Sequence, residues 1–140
     1  MNDRYLFRAK RIDNGEWEIG SLICLPNWEY EIANKCTNPP DSDPMWGKCV
    51  ITHKVDPSTI CQCTGLKDKN GKLIWENDVI EAWSQGRCAT GKIKHRIDGT
   101  WIMYPAWQNG EMWYLLPNDD GITTVEVIGN IFDNPELMHE

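Results

Sequence analysis

The sequence predicts a mainly β protein, a small barrel or sandwich of short strands, and three observations predict it. Apolar residues recur with period two in short segments, turn-forming pairs interrupt them about every ten residues, and helical signals are confined to the last few positions.

In residues 4–12, Tyr5, Phe7 and Ala9 alternate with Arg4, Leu6, Arg8 and Lys10, the pattern of a half-buried strand. Asp13-Asn14-Gly15 is a turn, and Glu16 to Leu25 returns with Trp17 and Ile19 on one face, so an N-terminal hairpin is expected. Pro26, Pro39, Pro40 and Pro44 then punctuate residues 26–48. Proline withholds the N–H that a ladder uses, so an exposed loop is expected here, most proline-rich over 36–48, with no central strand.

Cys49 to Lys54 and Thr59 to Leu66 read as strands around an Asp56-Pro57-Ser58 turn. Asn70-Gly71, with apolar residues resuming at Leu73, predicts a hairpin with a type I′ turn. Strands follow at Val79 to Trp83, Cys88 to Ile97, Thr100 to Tyr104, Met112 to Leu116 and Ile122 to Ile131. Turn residues such as Asp98-Gly99 and Asn118-Asp119-Asp120-Gly121 separate them. The one helical expectation is a turn or two after Asn134, with Asn134 as cap and Pro135 at the first helical position.

The chain has 140 residues, enough to hide roughly two-thirds of the surface its unfolded form exposes without staples. No run reaches the roughly 18 apolar residues of a membrane span, and residues 1–11 lack the apolar centre of a signal peptide. A cytoplasmic location is expected, with no membrane association, and the six cysteines are expected to be thiols. The net charge of −7 is unevenly spread: residues 1–11 carry +3 and residues 116–140 carry −6. Duplex binders normally present a basic face, so the overall balance disfavours that class, although Lys92, Lys94 and Arg96 form a local basic strip.

Reactive groupings are sparse. Cys49, Cys61, Cys63 and His53 offer thiolate and imidazole for zinc, but Cys-x-Cys in a strand is poor ligand spacing, and buried thiols acting as small hydrophobes are the plainer account. His53, His95 and His139 have no nucleophile motif beside them. The acids at Asp41/Asp43, Glu76/Asp78 and Asp119/Asp120 lie in turn chemistry. No catalytic set, metal or cofactor is expected.

Two stretches carry a family likeness. One is Val55-Asp56-Pro57-Ser58-Thr59-Ile60 followed by Thr64-Gly65-Leu66-Lys67-Asp68-Lys69-Asn70-Gly71-Lys72-Leu73-Ile74-Trp75-Glu76-Asn77-Asp78-Val79-Ile80; the other is Val127-Ile128-Gly129-Asn130-Ile131-Phe132-Asp133-Asn134-Pro135-Glu136-Leu137. With the opening Tyr5-Leu6-Phe7-Arg8-Ala9, they resemble the YopX family of small phage and prophage proteins. Cys61 and Cys63 depart from that pattern, as do the proline-rich loop and Asn77, which stands where the family usually has glycine. The resemblance implies one domain over 1–140, with an N-terminal hairpin, loop and strands in 1–63, an SH3-like barrel in 64–132 and a tail in 133–140. It brings no catalytic residues with it.

The aromatic residues are the candidate contact set. Trp101, Tyr104, Trp107, Trp113 and Tyr114 crowd one stretch after Trp83; of these Trp83, Trp101, Tyr104, Trp107 and Trp113 are the candidate partner-binding residues. Most of the rings read as core, with Trp101 and Met103 on one face and Ile102 and Tyr104 on the other; Trp107, in a loop, is the one expected to be exposed. The function expected is a non-catalytic binding or regulatory module engaging a protein partner or copies of itself as a homo-oligomer. The alternative is a nucleic-acid-binding module using Lys92, Lys94 and Arg96 with exposed aromatics. A metal- or thiol-dependent enzyme is the third class.

Overall fold

The computed structural model describes residues 5–35, 50–84, 86–105 and 112–138. Trp107, Cys49, His139 and the proline-rich loop 36–48 lie outside the described residues. The chain divides into two compact units, Tyr5–Gln62 and Cys63–Glu140.

The first unit is an antiparallel meander of β1 (Phe7–Lys10), β2 (Trp17–Cys24), β3 (Tyr30–Lys35) and β4 (Val50–Val55), in which β1 also pairs the start of β5 (Cys61–Lys67). The expected β1–β2 hairpin is present, with Phe7 opposite Gly20 and Lys10 opposite Trp17. The expected loop over 26–48 needs correction, because β3 is a central strand paired to β2 and β4. Pro26 falls in the turn before β3, and Tyr30–Lys35 contains no proline, so its full set of N–H groups is available to the ladder.

The far end of this sheet curls back on its beginning. Arg11 bridges Val55, Ile12 N–H donates to the Lys54 carbonyl at 3.0 Å, and Asp56 N–H donates to the Lys10 carbonyl at 2.8 Å. Ala9, Ile32 and Val55 are buried inside the curl, with Phe7, Leu22, Tyr30 and Ile60 packed against them.

In the second unit, β5 continues beyond Cys63 and pairs β6 (Leu73–Trp75). The hairpin expected around Asn70-Gly71 forms, but its turn is not type I′. Gly71 adopts φ 84° while Asn70 is not left-handed, and Gly71 N–H donates to the Asp68 carbonyl at 3.0 Å. The four residues Asp68 to Gly71 therefore make a turn of the type I kind followed by a left-handed glycine, the common longer hairpin connection.

A five-stranded antiparallel sheet completes the unit. Its order is β10 (Trp113–Tyr114), β9 (Trp101–Tyr104), β8 (Arg87–His95), β7 (Asp78–Ser84) and β11 (Glu126–Asn130). Its core is Ile74, Ile80, Ala82, Ala89, Ile93, Met103, Leu115 and Val125. The last strand returns to the first, yet among the described residues β10 and β11 stay apart as the two edges. The barrel expected over 64–132 is thus not closed; ladder pairing stops at β10, a strand of only two residues.

At the C-terminus, Pro135–Met138 form a short 3-10 turn and no α-helix. Asn134 stands just before it, with Pro135 first in the turn as expected; its carbonyl accepts from Leu137 N–H at 3.1 Å, while its Oδ1 accepts from Asn130 N–H at 3.3 Å, behind it in the chain. No helix among the described residues is long and apolar enough to cross a membrane.

Candidate functional site

The two stretches that carry the family likeness meet in space, and backbone groups hold them together. Asp68 is buried, and its Oδ1 accepts from Asn70 N–H and Lys72 N–H, both at 2.9 Å. Its Oδ2 reaches across to accept from Val127 N–H at 3.1 Å, and Lys69 N–H donates to the Val125 carbonyl at 2.8 Å. Beyond them, Asn77 N–H donates to the Ile93 carbonyl while Ile131 N–H donates to the Asn77 carbonyl. Asn130 Oδ1 accepts from Phe132 N–H and Asp133 N–H, closing the turn after β11. A Cβ built on Gly129 would lie 2.5 Å from Asn134 Oδ1 and 2.9 Å from Leu137 Cδ1, so the tail packs over a position where a side chain has no room. These motif residues build the unit.

The chemistry left over lies on one face of the five-stranded sheet. Residues paired across a ladder share a face, and neighbours along a strand alternate. Ile80, Ala82, Ala89, Ile93 and Met103 define the core face, and Trp101 and Trp113 lie on it too, packed against the core. Opposite them, the outer face carries Val79, fully buried, then Glu81 and Trp83 from β7, and Cys88, Thr90, Lys92 and Lys94 from β8. It continues with Ile102 and Tyr104 from β9, Tyr114 from β10 and Glu126 from β11.

Pairing gives this face its order. Lys92 is opposite Tyr104, while Lys94 is opposite Ile102, which is in turn opposite Tyr114. Lys94 Nζ stands 5.4 Å from the centre of the Tyr104 ring. Arg96, just beyond β8, has its guanidinium carbon 5.6 Å from the Tyr114 ring centre, and its Nη1 donates to Tyr114 Oη at 2.5 Å. Trp83, at the other side of the sheet, has Lys69 Nζ 4.2 Å above its ring, and that ammonium also pairs with Glu126 at 3.5 Å. Exposures of 42% for Trp83 and 40% each for Tyr104 and Tyr114 leave much of each ring open to solvent.

Five sequence candidates therefore separate into three groups. Trp83 and Tyr104 are on the outer face; Trp101 and Trp113 face the core; Trp107 lies outside the described residues. The basic strip Lys92, Lys94 and Arg96 accompanies Tyr104 and Tyr114 rather than Trp101. Trp101 stacks instead on His95, ring centres 4.2 Å apart. The candidate set lacked Tyr114 and Lys69. Tyr114 was readable from alternation, since Met112, Tyr114 and Leu116 fall on one side and Trp113 and Leu115 on the other. Lys69 was not, because a turn residue reached Trp83 from outside the sheet.

Of the residues weighed as a metal set, His53 Nε2 lies 3.8 Å from Glu18 Oε2, and Cys61 Sγ donates to the Thr59 carbonyl at 3.2 Å. Among the described residues, no three His, Cys, Asp or Glu side chains gather where they could hold a metal ion.

No curated protein matches the chain. A family model described as YopX protein matches residues 6–139, essentially the whole length.

Proposed function

The chain belongs to the YopX protein family, and from that premise we propose that it is a small non-catalytic binding module of a bacteriophage or prophage, working in the host cytoplasm. Its contact surface is the outer face of the C-terminal sheet, and the unit bearing it is an opened form of an SH3-like barrel.

One observation carries this conclusion. The residues that mark the family are spent on turns and backbone hydrogen bonds, whereas Trp83, Tyr104 and Tyr114 stand partly exposed on a sheet face turned away from its own core. Rings this large bury a substantial area when covered, and leaving several on one face is unfavourable unless something uses them. The cations beside them hold that face open to polar as well as apolar contact.

The test compares the wild type with a Tyr104→Ala/Tyr114→Ala double variant, both immobilised and exposed to extract from infected bacteria. Equal folding is first established by circular dichroism. The expected result is a macromolecule retained by the wild type and lost from the double variant. Equal retention by both, or none by either, would sink the assignment of the contact surface.

A further inference from the structure

Resting on that assignment of the contact surface, we propose that the strip formed by Lys92, Lys94, Arg96, Tyr104 and Tyr114 binds single-stranded nucleic acid, with phosphates on the cations and bases on the two rings.

The geometry is that of a short track. Lys92 and Lys94 project from alternate residues of one strand, and Arg96 follows in the same direction, so successive cations are about 7 Å apart along β8. Such a row suits the repeating charges of an extended polynucleotide. Tyr104 and Tyr114 lie beside the row on the next two strands. Tyr114 is opposite Ile102, two residues from Tyr104, so the rings are diagonal neighbours about 7–8 Å apart at the backbone. That separation lets each ring take its own base. Ile102, buried between Lys94 and Tyr114 in the ladder, gives the row an apolar floor.

The Tyr114 ring is also held in place by Arg96. Arg96 is fixed from two sides: its Nε lies 3.6 Å from Asp98 Oδ2, and its Nη1 bonds Tyr114 Oη. A guanidinium so placed can meet a phosphate or stack on a base without first being ordered.

A net charge of −7 does not defeat this. At physiological ionic strength exposed charges are screened beyond about 8 Å, so a ligand on β8 to β10 responds to the charges beside it. The acids on the same face, Glu81 and Glu126, belong to β7 and β11, and Glu126 is already paired with Lys69. Asp98, in the turn after β8, offsets part of the Arg96 charge and leaves Lys92 and Lys94 as the uncompensated pair among the described residues of the strip. Exposed rings favour unstacked bases, because base–aromatic stacking is available only to a single strand. An acidic peptide would satisfy the cations and leave the rings with nothing to stack on.

The test is fluorescence anisotropy of labelled mixed-sequence single strands, one arm DNA and one arm RNA, with the full chain at 50 and 200 mM salt. With about three phosphates neutralised, affinity should fall roughly 20-fold between the two salts. Tyr104→Ala and Tyr114→Ala should each weaken binding about tenfold, and Lys94→Ala should flatten the salt dependence. The two arms show which nucleic acid is preferred. Absence of binding at 50 mM, binding that ignores salt, an unchanged double tyrosine variant, or stronger binding of duplex or polyglutamate would each overturn the proposal. Should single strands fail while capture from extract still depends on Tyr104 and Tyr114, the nucleic-acid assignment falls and the binding face stands. If both fail, both fall.

Discussion

Asp68 is buried, and three backbone N–H groups converge on its carboxylate, those of Asn70, Lys72 and Val127. Removing it leaves these donors without their charged acceptor, in a place water reaches poorly. Asp68→Ala should therefore lower stability by roughly 3 kcal/mol in urea denaturation; a loss below about 1 kcal/mol would mean the carboxylate is not the tie between the two motifs. Asn77 illustrates a different constraint. It adopts φ 69°, a region open to glycine, tolerated by Asn and strained for β-branched residues. That conformation suits asparagine at this bend. Asn77→Gly should keep stability within about 1 kcal/mol, and Asn77→Val should cost about 2 kcal/mol or more. Thermal melts in which Val is tolerated as well as Gly would refute the conformational explanation.

At the scale of elements, the β8–β9 connection shows how local chemistry sets a turn. Asp98 Oδ1 accepts from Thr100 Oγ1 at 2.7 Å and Thr100 N–H at 3.1 Å, and Arg96 is close by. These bonds, with the Thr100 hydroxyl foremost, hold the Asp98 carboxyl below the ordinary carboxylate range. A carboxyl lowered in the folded state stabilises above its unfolded value, and that contribution is lost as pH falls through the lowered value. Thr100→Val should move the Asp98 midpoint upward in an NMR titration, and an unmoved midpoint would contradict the assigned cause. The same element was legible in advance, because Asp98-Gly99 lies between two runs of alternating residues. The strand β3 was not. Prolines on both sides of Tyr30–Lys35 suggested a loop, although none falls inside the strand. Alternation also placed Trp101 with Met103 and Ile102 with Tyr104, but it could not say which side was core. That depended on Ile80, Ala82 and Ile93 pairing across neighbouring strands, a long-range fact.

For the molecule as a whole, the two units each have a core of their own. In the N-terminal unit the last strand curls back through the Arg11–Val55 bridge and flanking backbone bonds, contacts that leave no local mark in a sequence. In the C-terminal unit, turn signals mark the strands, whereas the separation of β10 and β11 as the two edges among the described residues is a matter of long-range pairing. Charge followed the same division between local and global. The overall acidity disfavoured a nucleic-acid ligand, while alternation along β8 placed Lys92 and Lys94 together beside Tyr104. The motif residues build the C-terminal unit, and the proposed contact is a single strand laid on the outer face of its sheet. Backbone NMR of isotope-labelled protein, titrated with a mixed-sequence single strand, tests it most directly. Shifts should concentrate at Lys92, Lys94, Arg96, Tyr104 and Tyr114, leaving Asp68, Asn77 and Asn130 unmoved; shifts centred on those three, or none anywhere, would contradict it.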